Sequence, residues 1–565
     1  MDKVKKQYDL WTKFANEDIE LVNELAQIKD NPELIRDAFY KDLEFGTGGL
    51  RGVLGAGTNR MNIYTIRKFS QAISNQLISN NLNKKNNLSI AISYDSRKNS
   101  RLFAETAAQI FASNNIKVYL YKVLMPTPLL SWAVRYLHTD AGVMITASHN
   151  PSKYNGYKVY GSDGCQITEK VAEQVTNEAN KIEPLEITLK HSFEELMKEG
   201  LVEYISEEVV TAFIERVKKE SLLSKEDKIN KDVTIVYTPL HGTGLKPVTR
   251  ILKESGYNNV IVVKEQELPD SEFTTCPYPN PEIKEAMALG IEYAKKYDAD
   301  LLVATDPDCD RVGIATKNSS GEFVLLTGNE TGILLADYIG YMRNKNHTMP
   351  VDPVMVKTIV TTDMIYPIAK NYGITVKNVL TGFKYIGDQI ALLEKDHKES
   401  SYILGFEESY GYLTGSYVRD KDAVDGVYLI IEMFVYYKTH GISLLDKLEE
   451  LYKKYGYYAN SLKSYQFEGE SGFNKMNEIM NYFRNDVTHI GKFKVINLLD
   501  YAKGVDGLPL SNVIKLQLDN EAGIVIRPSG TEPKLKVYIS SKANSELENK
   551  ELSNYLFTEV EKLLK

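Results

Sequence analysis

Three successive α/β domains followed by a smaller α+β unit are the architecture this chain predicts, and three observations carry that reading. Its 565 residues exceed what one hydrophobic core organises, because domains average roughly 150 residues each. From about residue 88, short β-branched runs alternate with amphipathic stretches, the pattern of βαβ units, and this alternation restarts twice. From about residue 455 it gives way to strands grouped around one loop and a closing helix.

The elements follow in order. Leu88 to Tyr94 reads as a strand, and Leu102, Phe103, Ala107, Ile110 and Phe111 recur at helical spacing. Ile116 to Tyr121 is the next strand, Pro-Thr-Pro at 126–128 punctuates entry to a helix, and Ala141 to Ile145 is a further strand. The second array has strands at Val233 to Tyr237, Val260 to Val263 and Leu301 to Ala304, with helices after Gly244 and from Pro281 to about Lys296. In the third, Val354 to Val360, Thr375 to Leu380 and Tyr402 to Phe406 alternate with helices. The last unit places strands at Val513 to Leu518, Gly523 to Ile526 and Leu535 to Ser540 before a helix from about Asn549. Breaks near residues 200, 322 and 450 give expected domains 1–202, 203–322, 323–450 and 451–565.

Composition excludes several function classes. With 68 Lys plus Arg against 76 Asp plus Glu, the net charge of -8 argues against a nucleic-acid partner. A 43% hydrophobic, 25% charged chain is ordinary for a globular protein and not for a disordered one. Cys165, Cys276 and Cys309 form no CxxC pair, so neither a disulfide framework nor a thiolate zinc site is indicated. Met1 to Trp11 lacks a secretory apolar stretch, and Tyr428 to Tyr437, interrupted by Glu432, is too short to cross a bilayer. The cytoplasm is the expected compartment, with no membrane partner.

Parallel α/β sheets bind ligands beyond the C-terminal ends of their strands, and several chemically loaded loops sit there. Thr146-Ala-Ser148-His149-Asn150-Pro151 exposes a serine that can carry a covalent group, with Lys158 shortly after; the Ser-His adjacency by itself favours a plain polar turn. The absence of G-x-S-x-G argues against a hydrolase triad. Asp306-Pro-Asp308-Cys-Asp310-Arg311 places three carboxylates at alternate positions after a buried strand, where they repel unless a hard divalent cation neutralises them. It is no EF-hand, because Arg311 stands where the loop needs glycine and Lys317 where it needs glutamate. Glu407-Glu408-Ser409 suits vicinal sugar hydroxyls and equally a helix cap. Arg527-Pro-Ser529-Gly530-Thr531 makes a compact anion cradle of guanidinium, hydroxyls and backbone N–H groups. Phe45 to Gly52, with Arg51, is glycine-rich but lacks both P-loop and dinucleotide fingerprints.

In order and approximate spacing, Thr146 to Pro151, Asp306 to Arg311, Glu407 to Ser409 and Arg527 to Thr531 resemble the α-D-phosphohexomutase superfamily, closest to its long phosphoglucomutase/phosphomannomutase branch. The resemblance spans roughly residues 40 to 545. It implies four domains around a central cleft and isomerisation of a hexose 1-phosphate and 6-phosphate, glucose being the expected sugar, through a bisphosphate. It also implies Ser148 as the phosphoserine, one Mg²⁺ held by Ser148, Asp306, Asp308 and Asp310, and glucose 1,6-bisphosphate as intermediate and activator. His149 and Lys421 are the proton-transfer candidates it implies, and as a base Lys421 requires a depressed pKa. Arg51, Lys158 and Arg311 would add positive charge, Glu407 and Ser409 would take the sugar hydroxyls, and Arg527, Ser529, Gly530 and Thr531 would grip the idle phosphate. Thr381-Gly382-Phe-Lys384 resembles the sugar-selecting loop; its plain alternative is a C-cap turn. The last domain is expected to hinge and the chain to be a monomer or homodimer. Mannose or pentose phosphates, bisphosphate synthesis, a phosphatase reaction and a non-enzymatic phosphosugar-binding role are the competing functions.

Overall fold

The computed structural model describes residues 2–46, 48–81, 88–467, 469–528 and 534–564. Four sheets organise it. The first runs Gly49–Val53, Tyr154–Gly161, Ala141–Ile145, Ser89–Tyr94, Lys117–Leu120, Val202–Tyr204 across six strands, the last four parallel and the first two antiparallel additions. Successive side chains of its central strand point to opposite faces. Thus Ile90 and Ile92 pack with Phe103 and Phe111 of helix Ser100–Ser113, while Ala91 packs with Leu129 and Leu130 of helix Thr127–Tyr136.

The second sheet is Phe323–Leu326, Val312–Lys317, Leu301–Thr305, Ile235–Thr238, Val260–Val262, again parallel at its heart with an antiparallel edge. The third is Thr375–Val379, Val354–Thr358, Tyr402–Glu407, Gly411–Leu413. The fourth is wholly antiparallel: Tyr457–Gln466, Lys534–Ala543, Gly523–Pro528, Ile514–Leu518, Phe493–Asp500, His489–Ile490. Three α/β units and an antiparallel α+β unit are the predicted classes.

The differences have local causes. Val202–Tyr204 pairs in the first sheet and Phe323–Leu326 in the second, so those sheets run past the breaks expected at 202 and 322; both are short edge strands with weak apolar alternation. Leu102 sits in its predicted helix but is 42% exposed, off the apolar stripe. Three N-terminal helices, Asp2–Phe14, Ile19–Ile28 and Pro32–Phe39, were not foreseen; they dock by Trp11, whose ring lies edge-on to Phe39 and Tyr64. The strand Tyr457–Gln466 escapes period-2 reading because, at the sheet edge, most of it is half-exposed. The final helix starts at Glu546, where Ser545 accepts the N–H of Glu548 as its N-cap.

One hydrophobic core runs without interruption through the first three units, from Leu129 and Val134 through Val233 and Leu301 to Val354 and Leu404. The fourth has its own core. A small apolar contact, Ile359, Val360 and Leu380 against Tyr501, Val513, Val525 and Tyr538, joins it to the third. Loops carried by the first three sheets are therefore held in one framework.

Candidate active site

Ser148 follows strand Ala141–Ile145, which lies beside Ser89–Tyr94 in the first sheet, and the loop bends so sharply there that Ser148 takes φ 54. A side-chain-bearing residue in that region costs about 1–3 kcal/mol and persists only where its surroundings hold it. They do: Thr146 Oγ1 accepts the Ser148 N–H at 2.8 Å, and Arg97 donates to the Ser148 carbonyl. The hydroxyl then stands 3.1 Å from His149 Nδ1 and 3.1 Å from Asp306 Oδ2.

The aspartates follow strand Leu301–Thr305 of the second sheet and are all buried. Asp306 Oδ1 accepts the N–H groups of Asp310 and Arg311, 3.0 Å each, which closes the loop. Asp308 Oδ2 takes Thr127 Oγ1 at 2.9 Å and Lys158 Nζ at 2.8 Å, and Asp310 Oδ2 takes Lys421 Nζ at 3.1 Å. The loop backbone is pinned from both neighbours as well: Thr127 N–H meets the Asp308 carbonyl and Ala423 N–H the Cys309 carbonyl. One oxygen from each aspartate lies within 4.8 Å of the others, the only such acidic cluster among the described residues. Among the described residues Asp308 Oδ1 and Asp310 Oδ1 are buried without a hydrogen-bond donor, Arg311 Nε lying 3.9 Å from the latter.

The electrostatics divide roles. Burial, added to the charges of Asp308 and Asp310, drives the Asp306 carboxyl well above the ordinary range. Asp308, despite burial, is held below it by Lys158. Burial and the cations Arg311 and Arg51 push the His149 imidazole well below its usual value, so it is neutral near pH 7. At Lys421 burial opposes charge, but Asp310, Asp420 and Glu407 raise its pKa, the opposite direction to the depressed value a base there requires. Arg311 is likewise held charged, paired with Glu282 and Asp310.

In the third sheet Glu407 ends strand Tyr402–Glu407, buried, its Oε1 accepting the Gly382 N–H at 3.0 Å. It caps no helix; Asp422 caps the next one, Ala423–Thr439. Thr381-Gly382 likewise opens helix Phe383–Lys395 rather than closing one, with Gly382 at φ 122 and Thr381 Oγ1 buried and unpaired. Lys384 Nζ bonds Glu169 of the first unit at 2.6 Å, and Ser409 is half-buried in the turn after Glu407. Arg51 is exposed and donates to Asn150 Oδ1 at 3.2 Å, beside the serine. In the fourth unit Arg527 Nη2 meets Tyr538 OH at 3.2 Å, and its buried Nε has no hydrogen-bond partner among the described residues. Ser529, Gly530 and Thr531 lie outside the described residues.

Ser148, His149, the three aspartates, Lys158, Arg311 and Lys421 are thus one connected cluster, linked to Glu407 through the charge of Lys421. Sequence reading missed Arg97, Thr127, Glu282 and Asp420, which hold members of that cluster. Only Arg97 carried a usable signal, as Asp95-Ser-Arg97 directly after a buried strand.

A serine and a buried carboxylate trio assembled by adjoining α/β domains, with cations fixed around them, define a multidomain phosphotransferase. Comparison with known proteins makes this specific. Residues 42–186, 211–321 and 327–455 match the phosphoglucomutase/phosphomannomutase α/β/α domains I, II and III. A phosphoglucomutase of Staphylococcus haemolyticus is 38% identical over 570 residues, covering 98% of this chain and all of its own. In fold, the chain is similar to a crystal structure described as a putative phosphomannomutase from Thermus thermophilus, with TM-score 0.69, 21% identity and coverage of 93% of this chain and 99% of that one. It is similar also to the open form of parafusin, a Paramecium phosphoglucomutase, with TM-score 0.67, 19% identity and coverage of 93% and 95%. The chain belongs to the phosphoglucomutase/phosphomannomutase family, and is an isomerase of the intramolecular phosphotransferase type. Among the described residues no helix is long and apolar enough to cross a membrane.

Proposed function

We propose that this chain is a cytoplasmic, Mg²⁺-dependent phosphoglucomutase that interconverts α-D-glucose 1-phosphate and glucose 6-phosphate through phosphorylated Ser148 and glucose 1,6-bisphosphate. The observation that carries the chemistry is Ser148 Oγ standing 3.1 Å from both a neutral imidazole and the first carboxylate of the trio. Glucose is chosen because the full-length relative from Staphylococcus haemolyticus is a phosphoglucomutase. Three unpaired, buried cysteines suit a reducing compartment.

The residues present fit the metal. Asp308 Oδ1 and Asp310 Oδ1 are buried hard acceptors that take no hydrogen bond among the described residues, and carboxylate oxygens are the donors Mg²⁺ prefers. Asp306, Asp308, Asp310 and an oxygen on Ser148 would hold one ion, which when bound neutralises charge on the transferring phosphoryl oxygens.

The protein's own groups do the rest. As the Oγ–P bond of phosphorylated Ser148 breaks, a P–O bond forms to the free sugar hydroxyl, and the hydroxyl proton passes by way of His149, kept neutral, to the departing Ser148 Oγ. After the bisphosphate turns end for end, Ser148 Oγ recovers the other phosphoryl group and its proton returns by way of His149 to the sugar oxygen. Lys158, Lys421, Arg311 and Arg51 supply fixed positive charge, and the cleft excludes water once it closes round the sugar. Glu407 and Ser409 accept hydroxyls in either orientation, and Thr381, Gly382 and Lys384 shape the sugar end. Arg527, with Ser529, Gly530 and Thr531, holds the idle phosphate as the fourth domain closes. Gly456, at φ 100 between helix Leu444–Tyr455 and strand Tyr457–Gln466, is the pivot.

The test is turnover of glucose 1-phosphate beside mannose 1-phosphate and ribose 1-phosphate, with peptide mass analysis for a phosphoryl group on Ser148. The highest kcat/KM for glucose 1-phosphate and a phosphorylated Ser148 are expected. A higher value for either other sugar would move the substrate assignment, and inorganic phosphate without isomerised product would make the chain a phosphatase.

A further inference from the structure

Arg97 is buried on the loop after strand Ser89–Tyr94, and its guanidinium spends its donors on one short stretch of chain. Nη1 donates to the carbonyls of Pro151 and Tyr154, 3.0 Å each, and Nη2 to those of Ser148 and Asn150. Four backbone acceptors of residues 148–154 thus converge on one rigid fork. The fork is itself oriented. Asp95 lies 3.3 Å from Nε, accepts the Arg97 N–H at 2.9 Å and is bonded by Ser100 Oγ at 2.7 Å. The guanidinium also lies 5.0 Å from the ring centroid of Phe273, a buried residue of the second unit held at φ 49.

A loop that turns through the left-handed region at Ser148 turns its carbonyls away from the sheet ladder, and buried carbonyls need donors. Arginine alone offers five N–H groups in a fixed planar array; a lysine ammonium has three and no preferred plane. We propose that Arg97 is a positioning residue: by collecting the carbonyls of Ser148, Asn150, Pro151 and Tyr154, it fixes the strained turn that aims Ser148 Oγ at Asp306. Through Phe273 it also ties that turn to the unit that carries Asp306. Arg97 bonds the Ser148 carbonyl and not its hydroxyl, so its effect passes through the loop. This deepens the phosphoryl-transfer reading and rests on it for the kinetic measurement only.

Arg97→Ala, Arg97→Lys and Asp95→Asn, in the full chain, test the proposal. The readouts are kcat and KM for glucose 1-phosphate, Tm, and hydrogen exchange of amides 146–154 against strand Ser89–Tyr94. Displacing a reacting group by about 1 Å costs about a hundredfold in rate. Arg97→Ala should therefore lose about a hundredfold in kcat with KM changed less than about threefold. Arg97→Lys should recover no more than about a tenth of the wild-type rate, and Asp95→Asn should fall between. Exchange in 146–154 should rise about tenfold or more in each, with the strand unchanged. Should Arg97→Ala not fold, Asp95→Asn, which keeps the side-chain volume, decides. Unchanged loop exchange in a folded variant, full recovery by lysine, or exchange rising equally in the strand overturns the proposal. If the wild-type chain shows no mutase turnover, the functional reading fails, and loop exchange still decides the role of Arg97.

Discussion

Ser148 Oγ and Asp306 Oδ2 lie 3.1 Å apart, although 158 positions separate the two residues and different sheets carry them. Neither unit alone holds this contact; the continuous core beneath both fixes it. If Ser148 is the phosphoryl carrier, Ser148→Ala should cut mutase turnover about a thousandfold or more, since a covalent route has no substitute nucleophile here. Its Tm should stay within a few degrees of wild type, and the phosphoryl mass on the 146–154 peptide should vanish. Undiminished turnover in this variant would end the phosphoserine reading.

Chelation is the second test. Among the described residues Asp308 Oδ1 and Asp310 Oδ1 accept no hydrogen bond, so each has acceptor capacity for a cation. A metal chelator should abolish turnover, and added Mg²⁺ should restore it. A ligand that binds only the folded state stabilises it, by about 2.7 kcal/mol at a hundredfold excess over Kd, so Mg²⁺ should raise Tm measurably in the wild type. Asp308→Asn should lose most of that rise. An identical Mg²⁺ response in the variant would place the ion elsewhere.

How much of this was legible in the sequence follows from what each residue answers to. Ser148 and Asp306 follow, and Glu407 ends, buried strands whose apolar runs announce themselves, so topology alone carries them to the strand ends. The sign of the Lys421 shift was not legible: it depends on Asp310, from the second unit, and Asp420 flanking one amine. Thr127 was read only as part of a helix entry, because nothing local says that its hydroxyl meets an aspartate 181 positions away. The N-terminal helices escaped for a different reason. Their docking rests on Trp11 meeting Phe39 and Tyr64, contacts that sequence spacing does not reveal.

Arg527 supports a third prediction. Its Nη2 is steadied by Tyr538 while Nε is buried with no hydrogen-bond partner among the described residues, a guanidinium with donor capacity for an anion. Arg527→Ala should raise KM for glucose 1-phosphate about tenfold or more, as expected for loss of a charged hydrogen bond, and lower kcat less. Tyr538→Phe removes only the steadying hydroxyl and should shift KM by about threefold or less. An Arg527→Ala enzyme with wild-type KM would remove this residue from the phosphate grip.

Glu407 links stability to function through pH. Burial lifts its carboxyl from 4.5 to about 7 even though Lys421 opposes the rise, and Glu408 adds to it. Because the folded value lies above the unfolded one, the protonated form favours folding. That contribution is complete below about pH 4.5 and is lost as pH rises through about 7. Glutamine imitates the protonated carboxyl and does not titrate. Glu407→Gln should therefore match the wild type in stability at the acid end and exceed it above pH 7, by on the order of 3 kcal/mol, measured as urea midpoints across pH. Activity should run the other way. Accepting two sugar hydroxyls takes the ionised carboxylate, so wild-type kcat/KM should climb through an ionisation near pH 7. Glu407→Gln should be low and flat across that range. A glutamine variant that keeps the wild-type pH profile would show that another group titrates there and that Glu407 does not hold the sugar.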